Sequence, residues 1–296
     1  MFTIIRKFSK IREIALRYLS FLHGGEASFG CVTGDAVTDL KKRSGLSDLA
    51  SYLAANAASL GKESGFTSDY PLADIRYLPV IPNPSKVLCV ATNYWEPGGE
   101  GGERPDYPLT FSRFAASQTG HGEALLKPDL SEKFDYEGEL AVIIGKAGRR
   151  VSEADALSYV AGYSCFNDGS VRDWQKHSTQ FTPGKNFFRT AGFGPWMVSA
   201  DEIPDPTGLS LSTRVNGELR QSNDTSRLIF SISWLISYFS QFTLLEPGDV
   251  IVTGTPSGFG STRSPPVFLA EGDTVEVEIG GIGTLRNTVI SDCGTV

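Results

Sequence analysis

A chain of 296 residues has room for one large core with a small appended unit. Its 40% hydrophobic and 21% charged content is that of an ordinary globular protein and excludes a disordered chain or a coiled coil. The formal charge of −7 argues against a nucleic-acid partner, because phosphate binding needs a basic face that this balance does not supply. Cys31, Cys89, Cys165 and Cys293 are scattered without a CxxC or Cys/His cluster, so neither a zinc site nor a disulfide framework is expected, and reduced cytoplasmic thiols are the default. No apolar run approaches a membrane span.

Residues 1–17 read as a basic extension. Arg6, Lys7, Lys10, Arg12 and Arg17 interleave with Ile4, Ile5, Ile11, Ile14 and Leu16, opposed only by Glu13. A basic amphipathic helix, an organelle presequence and a surface-packed extension all fit this pattern, and no function is assigned to it. Short strands and turns follow over 18–35, then an Ala- and Leu-rich helix over 46–60. A connector with Pro71, Pro79, Pro82 and Pro84 closes a small N-terminal domain, 18–85.

The remainder, 86–296, has the turn spacing of a strand-rich domain carrying a few helices, an α+β class. Strands are expected over 86–91 and, longer, over 134–145; Ser152 with Asp155 resembles a capping box opening a helix through Val160. Leu209, Leu211, Thr213 and Val215 alternate into Asn216-Gly217, a strong hairpin signal. Ile232, Leu235, Ile236 and Phe239 recur at helical spacing as a core stripe, and Val275, Val277 and Ile279 alternate on a last strand.

The stretch that carries chemistry is the expected strand 134–145. In a strand, Glu137 and Glu139 project to one face with Cα atoms roughly 6.5 to 7 Å apart, close enough to converge on one ion. A Glu-x-Glu pair alone equally describes an exposed edge with solvated carboxylates. Leu140, Val142 and Ile144 weigh against that reading, because unpaired carboxylates on so apolar a strand are costly. Asp168 ends the apolar stretch 163–167 and offers a third oxygen. A short helix starting near Ser170 would place Asp168, Arg172 and Gln175 on one face, although capping by Asp168 and a plain Asp168–Arg172 ion pair fit equally well.

The ordered motifs DYEGELAVIIG, FNDGSVRDWQ, TPGKNF, GPWMVSADEIPDP, VNGELRQ, LEPGDVIVTGTPSG and EGDTVEVEIGGIGTLRN resemble the fumarylacetoacetate hydrolase superfamily from residue 86 to the C-terminus. The resemblance implies a β-rich mixed fold with a small N-terminal domain, a homodimer, and a Mg²⁺, Mn²⁺ or Ca²⁺ ion at the mouth of a sheet. Position by position it makes Glu137, Glu139 and Asp168 the metal ligands. It makes Arg172, Gln175 and Lys185 residues lining the substrate site, and Thr255 a substrate-contacting turn residue. Arg113 lies where many relatives carry a basic residue; with Arg172 it would receive a substrate carboxylate, or else be an exposed surface arginine. Three hard carboxylate oxygens suit Mg²⁺ or Mn²⁺ and leave open positions for an α-keto acid or 1,3-dicarbonyl. Lys185 would then stabilise a developing oxyanion.

One segment departs from the pattern. Hydrolytic members generally carry a His, with a Glu three residues later, on a lid that follows an Asn-Tyr pair. After Asn93-Tyr94 this chain has Pro97 at the His position and keeps only Glu100. His121 is the substitute whose imidazole titrates where general bases work. Relatives with a similar Gly-His-Gly segment keep the lid His as well, so a structural His121 is the better reading. His23 and His177 have no context that raises them above surface residues.

The reading is therefore a metal-dependent hydrolase cleaving a carbon–carbon bond in an acylpyruvate-like or related 1,3-dioxo acid, as in aromatic compound catabolism. The alternatives are a decarboxylase, isomerase or dehydratase working on the same enolate, and an inactive binding protein. The expected partner is a small anionic oxo acid, with no nucleic acid and no membrane.

Overall fold

The computed structural model describes residues 16–61, 67–95 and 102–294. The basic stretch before residue 16 and the lid positions Pro97 and Glu100 lie outside the described residues. No helix among the described residues is long and apolar enough to cross a membrane.

The strand Gly138–Ile144 is buried along its whole length, and its neighbour Val160–Asn167 likewise. Both faces of the sheet at this point are covered, which is why the segments read as continuous apolar runs rather than as alternation. On one face Leu140, Val142 and Ile144 pack with the helix Ile232–Phe242 and with Leu211, Val277 and Ile279 from a second sheet. On the other, Ala141 and Ile143 pack with Leu49 and Leu53 of the helix Leu49–Asn56 and with Val87 and Cys89. Each buried aliphatic side chain of this kind contributes about 1.5 to 3 kcal/mol relative to exposure. The main sheet runs from the edge strands of the N-terminal segment through Arg17–His23, Ala191–Ser199, Val160–Asn167 and Gly138–Ile144 to Val250–Val252, Val87–Ala91 and Leu109–Arg113. The strands of the N-terminal segment thus continue the sheet that carries the central pair. A five-stranded sheet that includes Ser210–Val215, Thr274–Ile279 and Gly283–Ser291 covers one face.

Local chemistry explains where elements begin and end. Asp48 caps the helix Leu49–Asn56 through the Ser51 amide, so this helix is shorter than the expected 46–60. Ser231 caps Ile232–Phe242 through the Trp234 amide, and the stripe Ile232, Leu235, Ile236 and Phe239 is buried as expected. Asn216 and Gly217 both adopt positive φ, the requirement of a tight turn between Ser210–Val215 and Glu218–Asp224. The helix expected through Val160 is a correction. Ser152 Oγ does accept the Asp155 amide, but only a 3₁₀ turn, Ala156–Tyr159, follows. The buried strand Val160–Asn167 begins at once and leaves no room for further helical turns.

Candidate metal centre

The long strand expected over 134–145 is two strands with a break between them. Phe134–Asp135 pairs with Ser170–Val171, whereas Gly138–Ile144 pairs with Val160–Asn167. The ladder is interrupted on both sides at the same level, and Glu137 and Asp168 sit in the interruption. Their backbones remain satisfied there: the Asp168 amide donates to the Glu137 carbonyl at 2.8 Å, and the Glu137 amide donates to Asn167 Oδ1 at 3.0 Å. Glu139 follows inside the strand, on the same face as Ala141 and Ile143. All three side chains are buried, and one oxygen from each lies within 4.8 Å of the others.

Cations hold these acids in place. Lys185 Nζ donates to Glu137 Oε2 at 2.8 Å and to Asp168 Oδ2 at 2.6 Å. Arg113 Nη1 meets Asp168 Oδ1 at 2.5 Å, and Arg172 joins Glu137 Oε1 at 2.5 Å to Asp135 Oδ2 at 2.8 Å. Among the described residues, the buried acids Asp135, Glu137, Glu139 and Asp168 therefore face Arg113, Arg172 and Lys185, and one acid is in surplus. That acid is Glu139. Its Oε2 accepts the Gly254 amide at 2.5 Å, but no cation pairs with it among the described residues. Burial, reinforced by the charges of Asp168 and Glu137, pushes its pKa well above the ordinary carboxylate range. Glu137 goes the other way: burial would raise it, but Lys185 and Arg172 outweigh burial and hold it at about 2. Burial would lower the Lys185 pKa, yet Asp168 and Glu137 more than offset it, and the side chain is an ammonium at neutral pH.

The donor set fits a divalent cation. Three hard oxygens converge, the buried acids Asp135, Glu137, Glu139 and Asp168 outnumber the cations Arg113, Arg172 and Lys185, and Glu139 is the oxygen donor left without a positive partner among the described residues. Gly254 takes φ +101, and a Cβ there would stand 2.7 Å from Asn93 Cβ, so only glycine brings this amide onto Glu139.

The other residues singled out in the sequence have separate fates. Lys185 and Arg172 touch the carboxylates directly, and Gln175 accepts from Arg172 Nη1 at 3.2 Å. Arg113 is neither a surface arginine nor open to a ligand, for its side chain is fully buried between Asp168, the Gly169 carbonyl, Ser117 and Thr190. The Asp168–Arg172 pair and the Asp168 cap are corrections as well: Asp168 pairs with Arg113 and Lys185, and the short helix Arg172–Gln175 begins after Val171. Thr255 Oγ1 donates to the Gly138 carbonyl at 2.9 Å and accepts from Gln221 at 2.8 Å, so it braces the backbone between the two glutamates. His121 stands apart from these contacts; its Nδ1 accepts the Arg286 amide at 3.1 Å and its ring meets Tyr77 edge-on. Sequence reading passed over Asp135 and Gln221. Asp135 lies in phase with the two glutamates, a signal that was available, whereas Gln221 reaches Gly138 from a strand far along the chain.

The family described as "Fumarylacetoacetate (FAA) hydrolase C-terminal" matches residues 86–290. The chain belongs to the fumarylacetoacetate hydrolase family. It is 43% identical over 225 residues to oxaloacetate tautomerase YisK of Bacillus subtilis (strain 168), covering 74% of this chain and 75% of that one. It is 41% identical over 222 residues to the mitochondrial oxaloacetate tautomerase Fahd2a of Rattus norvegicus, covering 74% and 71%. Among solved structures, the fumarylacetoacetate hydrolase of Exiguobacterium antarcticum superposes with a TM-score of 0.83 at 33% identity, covering 94% of this chain and all of that one. The 2-hydroxyhepta-2,4-diene-1,7-dioate isomerase of Mycobacterium marinum gives 0.76 at 31% identity, with 94% and 100% coverage. The β-rich mixed fold is thus that of the fumarylacetoacetate hydrolase family, and the chain is an enzyme of that family.

Proposed function

We propose that this enzyme interconverts the keto and enol forms of a small dicarboxylic 2-oxo acid, with Mg²⁺ or Mn²⁺ held by Glu137, Glu139 and Asp168. The observation that carries the choice of tautomerisation over hydrolysis is the fate of the histidines. The chain has three. His121 is engaged with the Arg286 amide, His23 stacks on Tyr70 with ring centroids 3.7 Å apart, and His177 lies against Trp174. None of these contacts is with the carboxylate cluster, so no imidazole is in place to activate water. Tautomerisation consumes no water: one proton leaves carbon and one reaches oxygen. The relatives named oxaloacetate tautomerase support the same choice.

A bound ion would supply Lewis acidity to the substrate's oxygens and the positive charge that the cluster lacks. Lys185 is a fixed ammonium at the cluster and donates a hydrogen bond to the oxygen that gains charge in the enolate. Arg172 and Gln175 orient the substrate, Thr255 keeps the glutamate backbone in register, and Arg113 positions Asp168 from behind. Glu100, the lid acid that the sequence keeps, would serve here as the general base that takes the proton from carbon. Carbon–carbon hydrolysis is the second reading, supported by the superposition on the Exiguobacterium hydrolase.

The test is to dissolve enol-oxaloacetate with purified enzyme and Mg²⁺ and follow loss of the enol absorbance against buffer, alongside product analysis of an acylpyruvate panel. Accelerated ketonisation without carbon dioxide release or cleavage products is the expected result. Acylpyruvate cleavage at a higher kcat/KM would replace tautomerisation by hydrolysis.

A further inference from the structure

Arg172 is gripped on all sides but one. Its Nε donates to Asp135 Oδ2 at 2.8 Å, its Nη1 donates to Glu137 Oε1 at 2.5 Å and Gln175 Oε1 at 3.2 Å, and its guanidinium carbon lies 4.6 Å above the centre of the Phe259 ring. Its Nη2 is buried and has no hydrogen-bond partner among the described residues. The guanidinium is a planar, rigid fork, so fixing Nε and Nη1 fixes the direction of Nη2 as well. A buried donor left unmade is costly, and a ligand carboxylate is the natural acceptor for it.

The group behind this arrangement is Asp135, which is fully buried and uses both oxygens twice. Oδ1 accepts the Tyr136 amide at 2.9 Å and the Gly260 amide at 2.7 Å; Oδ2 accepts the Ser261 amide at 2.9 Å and Arg172 Nε. Phe259, Gly260 and Ser261 are consecutive, so the turn that lays an aromatic ring on Arg172 is bound to the same carboxylate as Arg172 itself. Gly260 admits this approach, because a Cβ there would stand 2.6 Å from Asp135 Oδ1 and 2.0 Å from the Val267 carbonyl.

We propose that Asp135 is a positioning residue for substrate recognition: through Arg172 and the 259–261 turn it aims the free Nη2 of Arg172 at the second carboxylate of a dicarboxylic 2-oxo acid. This rests on the reading, made above, that Arg172 orients the substrate. Asp135→Asn is the discriminating variant. Its Oδ1 can still accept from Tyr136 and Gly260, but Nδ2 would then face the Arg172 Nε and Ser261 amide donors. The turn keeps half its anchor while Arg172 loses its aim.

The experiment measures calorimetric Kd values on the Mg²⁺-loaded protein for 2-oxoglutarate and for 2-oxobutanoate, which differ by the distal carboxylate. The wild type should prefer the dicarboxylate by about tenfold or more, the range of a hydrogen bond to a charged group. Arg172→Met should abolish the preference. Asp135→Asn should remove most of it while leaving 2-oxobutanoate affinity within about twofold, the pattern of lost aim rather than general damage. Phe259→Leu, which leaves the Asp135 contacts intact, should narrow the preference by a smaller factor and serves if Asp135→Asn does not fold. An unchanged preference in Arg172→Met sinks the reading of Arg172 and this inference with it. A preference lost in Arg172→Met but intact in both Asp135→Asn and Phe259→Leu overturns the inference alone, as does an equal loss of affinity for both ligands in Asp135→Asn.

Discussion

The two ends of the strand Gly138–Ile144 share one backbone and the same degree of burial, yet they are built on opposite terms. From Leu140 to Ile144 each side chain finds apolar neighbours on its own face, and nothing is left over. At the Gly138 end burial is just as deep, but acids and cations are interlocked and groups are left unmatched among the described residues: the Glu139 carboxylate has no cation, and Arg172 Nη2, Asn167 Nδ2 and Thr213 Oγ1 have no hydrogen-bond partner. Burial therefore does not separate core from site along this strand; the leftover groups do. They are uneconomical as structure and make sense toward a cation and an anionic ligand.

The sharpest way to break this comparison is Glu139→Gln. Gln keeps an oxygen for the Gly254 amide and removes only the ionisable group, so metal-free stability should not fall below that of the wild type. Turnover should fall on the order of 10³-fold or more, the several kcal/mol that a bound ion contributes. Melting curves in EDTA and initial rates with Mg²⁺ check both halves, and a melting point that drops along with the rate would mean that Glu139 is not in surplus. Asp168→Asn should behave differently, because Arg113 and Lys185 then lose a buried partner. We expect a stability loss of about 3 kcal/mol or more in metal-free urea unfolding. At the apolar end, Leu140→Ala should cost about 2 to 5 kcal/mol by leaving a cavity, with or without divalent ions.

The acids of the charged end also predict a pH signature for metal-free protein. Glu137 has a lowered folded pKa, so it contributes stability above its ordinary value of 4.5, and this is lost as pH falls from there toward about 2. Glu139 has a raised folded pKa, so its contribution is complete below its ordinary value of 4.5 and is lost as pH rises through the elevated folded value. Melting points of wild type and Glu139→Gln should agree near pH 4.5, with the wild type falling below the variant on the alkaline side. Parallel curves would show that Glu139 titrates normally. The smallest effect is expected from His121→Asn: the amide oxygen replaces Nδ1 as acceptor for Arg286, and kcat should stay within about threefold if general-base catalysis by His121, with its 10²- to 10⁴-fold contribution, is absent.

Much of this was legible in the sequence, and the misses have physical reasons. Two-residue spacing aligned Glu137 with Glu139, and alternation gave Ser210–Val215, Thr274–Ile279 and the Asn216-Gly217 turn, but Thr274–Ile279 is not the last strand, since Gly283–Ser291 follows and pairs with it. The break at Tyr136–Glu137 was invisible, because it is made by side-chain acceptors such as Asn167 and Gln221 that arrive from elsewhere. Arg113 could be read as surface or site because its fate depends on Asp168, Ser117 and Thr190 closing around it. Asp135 was read past because a carboxylate that accepts from three amides and an arginine looks, in a sequence, like any other acid in phase with a strand.

The register of the central pair also sets an order of assembly. Gly138–Ile144 and Val160–Asn167 are joined at the Ile144↔Val160 end by the segment 145–159, while Gly138↔Asn167 is the open end. Loop closure is least costly for the nearest partners, so pairing grows outward from the closed end. We expect the apolar pairs to form first and Glu137 to meet Asp168 last, which pulse-labelled hydrogen exchange would show as earlier amide protection at the Ile143 and Tyr163 end than at Gly138 and Asn167. Mutual repulsion of the acids is thus deferred until the surrounding ladder is already in place, and Lys185 and Arg172 arrive from the chain that follows. The order of residues along this hairpin keeps a cluster of like charges from opposing its own folding.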